Sequence, residues 1–330
     1  MKQIDVLKAN LRAGEAIFLL IDPIMGEPIV SHGMDMQGDF SDIQVQRESS
    51  WGRPIHAIKL DENIMLPAAL QPYLVELNNK EDHWLEASLK LAQEESCTAS
   101  LLDSSALTYV GGKHCIGGWL QSAHWPEKVT MALASVMTLH AQQSSAGAKK
   151  HYLRLADRRV FSWVGHTLGE QRLQAALYPI TRWLYLNVTA QVNSVAVHGQ
   201  RTDLTALYFA ADEWKRMESA SAHHAVLTCW LHSFVKRSAD MFDPWQQHQS
   251  RCMEKVSMAL EQAKHNAQQW PQALQAEKDL VVYASLSLLY SEHALQQSLR
   301  LLMSDDLGQQ GLGLHAMREA ISEKIKEAEK

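Results

Sequence analysis

No apolar run in this sequence approaches the roughly 20 residues that a membrane-spanning helix requires. The opening MKQIDVLKANLRAGEA is too polar for a secretory leader. The chain is therefore expected in the cytoplasm, with no membrane partner. Cysteine is scarce: Cys97, Cys115, Cys229 and Cys252 are scattered over 330 residues, with no Cys-x-x-Cys pair. Thiols so placed read as reduced and mostly buried, which argues against a disulfide framework. Nor is charge of one sign in large excess. The chain has 31 Lys and Arg against 37 Asp and Glu, a formal net charge of -6, and this disfavours a nonspecific binder of nucleic acid or of anionic lipid.

The short motifs that carry chemistry are missing too. No Gly-x-Gly-x-x-Gly occurs. In the glycine-rich stretch 111–118, GGKHCIGG, Lys113 is followed by His114, whereas a phosphate-binding loop needs Ser or Thr there. This stretch reads as a flexible loop before a helix. There is no His-Glu-x-x-His. His223 and His224 are adjacent, so on a helix they point about 100 degrees apart, and the pair His248 and Cys252 has no second pair to complete a metal site. Without a Gly-x-Ser-x-Gly turn, a triad from His56, Asp103, Ser104 and Ser105 has no spacing to recommend it. Asp212-Glu213 and Asp305-Asp306 read as solvated helix faces and turn caps. No catalytic residue, cofactor or metal is assigned.

What is present is enough apolar residue, 46% of the chain, to fill more than one core, since single cores stop growing near ~250–300 residues. The first part reads as an α/β (α+β) lobe with a mixed sheet, residues 1–200. A leading helix in 1–13 precedes the apolar run 16–22, which has the look of a strand buried on both faces. Residues 23–52 read as loop, with one short strand near Ile29. Further strands are expected at 54–60, 73–77 and 98–102, with helices at 83–95 and 126–142 and a linker at 144–150. Beyond a hairpin strand at 192–197 the pattern becomes helical throughout. Stripes such as Leu204, Leu207, Ala211 and Trp214, then Leu227, Trp230 and Leu231, then Met253, Val256 and Leu260 define an all-α lobe, residues 201–330. Val281 to Leu302 outlines one long helix or two abutting ones, and Leu314 to Ile325 the last.

The densest information lies in 151–187. From His151 to Ala156 apolar and polar residues alternate, and from Arg159 the apolar positions Val160, Trp163, Val164 and Leu168 step by three and four. The change of period falls at Asp157, where a short carboxylate can accept from the first free amides of a helix. A second helix, 170–177, ends before Tyr178-Pro179, and a strand resumes at 182–187.

Taken together, Arg154, Asp157, Arg159 and Val160, then Glu170-Gln171, then Tyr178-Pro179-Ile180 and Trp183 resemble the signature of the bacterial type VI secretion adaptor, or effector-chaperone, family. In that family an Arg-x-x-Asp-Pro-Arg run precedes a Gly-Pro-hydrophobic turn and a tryptophan. Arg158 here stands in the place of the proline and Tyr178 in that of the glycine. Leu19-Leu20-Ile21-Asp22 resembles the family's opening strand, and Gln71-Pro72-Tyr73-Leu74-Val75 its Pro-Tyr-Leu-Val segment. The likeness covers roughly residues 15–187.

The resemblance implies a non-catalytic protein that holds a cognate toxin in the cytosol and promotes its loading onto the VgrG spike, so the partners expected are that toxin and VgrG. Two roles suit Arg154, Asp157 and Arg159: contact with a partner chain, or holding a helix end and its loop in place. We favour the second, with Asp22, Pro72, Tyr73, Pro179 and Trp183 as further motif positions of structural use and with Trp163 and Trp183 in the core. The competing readings are an α/β-domain enzyme, a hydrolase or nucleotide-dependent transferase with its polar site around Asp22, Asp103 and Asp157, and a tail component exported with the spike.

Overall fold

The computed structural model describes residues 2–30, 36–95, 114–140, 150–187, 190–197, 207–237, 249–304 and 311–328. They form two compact units, the first running to Met217 and the second taking over from Glu218. In the first, α1 (Gln3–Asn10) leads into β1 (Ala16–Ile21), α2 (Phe40–Trp51), β2 (Ile55–Ala57), β3 (Tyr73–Leu77), α3 (His83–Glu95) and β4 (Ile116–Ser122). Then come α4 (Pro126–Met137), β5 (Thr138–His140), β6 (Lys150–Tyr152), α5 (Arg158–Leu168), α6 (Glu170–Leu177), β7 (Arg182–Leu186), β8 (Val192–Ala196) and α7 (Ala211–Glu218).

Six strands form one sheet in the order β2-β3-β1-β4-β7-β8, and β5 pairs with β6 apart from it. The expectation of a mixed sheet is corrected: every pairing in the six-stranded sheet is antiparallel. The continuous apolar run in β1 arises because β1 is central and covered on both faces, the condition that makes strands of parallel sheets uniformly apolar. Its side chains alternate. Phe18 and Leu20 enter a core with Val129, Leu133, Phe161, Val164 and Leu173 of α4, α5 and α6. Ile17, Leu19 and Ile21 enter a second core with Leu7, Trp51, Leu85 and Leu89 of α1, α2 and α3. Trp183 and Leu184 of β7 divide the same way, so helices sandwich the sheet.

Three segments depart from the sequence reading. Residues 40–51 are helix, not loop: Asp39 and Asp42 form a capping box, Gly52 ends the helix in the left-handed region at φ 59, and Ile43, Arg47 and Trp51 are the buried positions. Of the stretch 111–118 read as a flexible glycine loop, residues 111–113 lie outside the described residues, and Ile116, Gly117 and Gly118 open the buried strand β4. Its glycines are there for lack of room, since a Cβ on Gly117 would lie 2.4 Å from the Ala156 carbonyl oxygen and one on Gly118 2.3 Å from that of Leu184. Finally α4 stops at Met137, and Thr138, Leu139 and His140 pair with Tyr152, His151 and Lys150. The strand expected at 98–102 lies outside the described residues, as does most of the 144–150 linker.

Leu207 and Phe209 belong to the first unit's core, and Trp214 and Met217 pack against it. This segment lies beyond the expected boundary at 200 and is tied to the first unit: the Trp163 indole donates to the Arg216 carbonyl oxygen, and Arg172 pairs with Glu213.

The second unit is helical: α8 (Ala220–Arg237), α9 (Gln249–Asn266), α10 (Glu277–Ser287), α11 (Glu292–Ser304) and α12 (Arg318–Ala328). The 281–302 pattern is thus two helices. Val256, Leu260, Val281, Leu295, Leu299, Leu314 and Ile321 are buried. The Tyr283 hydroxyl accepts from Asn266 at 2.8 Å and Gln296 at 2.9 Å, tying α9, α10 and α11 together. Buried Asp279 accepts from the amides of Ala276 and His315, which pins the segment before α12 to the start of α10.

Candidate functional site

Strand β1 delivers Asp22 at its carboxyl end, fully buried. One carboxylate oxygen accepts from the Ile24 amide and caps the short turn Pro23–Met25. The other faces Arg154, whose Nε and Nη2 lie 2.9 and 2.7 Å away. Burial raises the Asp22 carboxyl above its ordinary range, and the Arg154 cation only partly offsets this. Arg154 in turn reaches Asp157, with Nη1 at 3.6 Å from Oδ2, so the same guanidinium touches two of the three carboxylates that the sequence offered as an enzymatic site. The third, Asp103, lies outside the described residues, as do Ser104 and Ser105. His56 sits instead beside Glu76, 2.9 Å away.

Asp157 is the N-cap of α5. It accepts from the Arg159 amide at 3.0 Å, while the Arg159 side chain forks back onto both of its oxygens at 3.0 and 2.6 Å. Burial works to raise this carboxyl, but Arg159, His114 and Arg154 outweigh it and hold Asp157 well below the usual carboxylate range. A buried anion with that many cations around it is ionised and occupied.

Arg158, at the first helical position, is the residue that local reasoning missed. Its guanidinium is buried and donates to Glu95 at 2.9 Å, to the Ile116 carbonyl at 2.9 Å and to the Ala92 carbonyl at 2.8 Å. Glu95 also accepts from the Cys115 and Ile116 amides. One side chain thus locks the start of α5 to the end of α3 and to β4. Nothing near Arg158 in sequence announces this, because its partner stands 63 residues away.

No family model, curated protein or solved structure matches the chain.

The remaining motif residues lie apart from this cluster. Pro72 accepts from the Ile58 amide at 3.0 Å. Tyr73 is buried and donates to Glu27 at 2.6 Å, while its ring lies 4.0 Å under the Arg47 guanidinium. The Tyr178-Pro179 peptide is cis, and the Pro179 carbonyl accepts from Ser122. Trp183 stacks on Phe161 with ring centroids 4.1 Å apart. Cys115, Cys229 and Cys252 are free thiols. Among the described residues no three His, Cys, Asp or Glu side chains converge as metal ligands would, and no helix is long and apolar enough to cross a membrane.

Chemically, the cluster offers three guanidinium groups set against three carboxylates. Each acid is met by an arginine, and the hydrogen bonds run between elements that the fold has to hold together. Such an arrangement fixes backbone.

Proposed function

We propose that this chain is a non-catalytic adaptor of the type VI secretion apparatus, which binds a cognate toxin in the cytosol and promotes its loading onto the VgrG spike. What carries the reading is the use made of the charged residues in the segment that resembles the adaptor family. Arg154 clamps Asp22, Asp157 caps α5, and Arg159 closes onto Asp157. The signature maintains a scaffold, and recognition falls to surfaces outside it. An adaptor needs that division of labour, because a stable complex buries ~1,200–2,000 Å² of surface and asks for no reacting groups.

The test is co-expression with the toxin and spike proteins encoded by neighbouring genes. The toxin's soluble yield is expected to rise, and toxin and VgrG to co-purify with this chain. Unchanged yield together with no co-purification would refute the assignment.

A further inference from the structure

We draw no further inference here: the strongest candidate, the side-chain cluster of Asp22, Arg154 and Asp157 at the carboxyl end of β1 with the buried Tyr152 hydroxyl beside it, which has no hydrogen-bond partner among the described residues, belongs to the site already described.

Discussion

Replacing Arg158 with methionine keeps most of the side-chain volume and removes the guanidinium that joins α5, α3 and β4. Three acceptors lose a donor: the Glu95 carboxylate and the carbonyls of Ile116 and Ala92. The largest effect is on Glu95, whose side chain is only 13% exposed and is left as an anion with backbone amides alone. Breaking a buried ion pair from one side costs about 3–5 kcal/mol, whereas replacing both partners is often nearly neutral. Arg158→Met should therefore destabilise the first unit by about 3–5 kcal/mol. At roughly 2–4 °C per kcal/mol for a unit of this size, calorimetry should show its transition fall by on the order of 10 °C. Glu95→Gln alone should also be costly, because it strands the buried cation. The double variant should be milder than the sum by at least about 2 kcal/mol, the coupling that a double-mutant cycle isolates. Arg158→Pro gives a second check. Proline suits the first position of a helix, so it should cost about as much as methionine, without the further ~3 kcal/mol of an interior proline. A loss under about 1 kcal/mol for Arg158→Met, or additive single variants, would refute the assignment of this pair as a clasp.

Two further outcomes follow from local geometry. Gly118→Ala should cost at least about 3 kcal/mol in urea unfolding, since the added carbon meets Leu184 and Trp183 at a backbone φ of +141 and both overpacking and strain contribute; an unchanged midpoint would show that β4 has slack. His315 is held below its ordinary pKa by burial and by Lys278 and Arg318, against the opposing charge of Asp279. Below the unfolded value of ~6.5 the unfolded chain takes up a proton that the folded one resists, so stability of the helical unit falls as pH drops from about 7 until the lower folded pKa is passed. Urea unfolding at pH 7.5 and 5.5 should show a smaller difference for His315→Gln than for the wild type, and parallel behaviour of the two chains would rule this histidine out as the source.

Where a signal is local, the sequence carried it. Strand β3 and helix α3 lie at 73–77 and 83–95 as their patterns require, and Asp157 caps α5. Helix α2 shows how a local signal is hidden. Its buried positions are Ile43, Arg47 and Trp51, spaced by four, but one of them is an arginine, so the apolar stripe is broken. The arginine is tolerated because it pairs with Glu27 and lies over Tyr73. The capping box at Asp39 and Asp42 and the glycine at 52 were the legible clues.

By itself the sequence determined the two-part character of the chain, an α/β portion followed by helices, because period two and period 3.6 are properties of neighbouring residues. It also determined where the helix at 158 begins, since a cap acts across three residues. Only the tertiary structure decided that the sheet is antiparallel, that Gly117 and Gly118 lie in a crowded strand, and that Arg158 closes on Glu95. These depend on which distant segments come to lie within 3 Å of one another. A salt bridge across 63 residues, or a missing Cβ opposite a carbonyl 39 or 66 residues later, leaves no periodic mark in the chain that makes it.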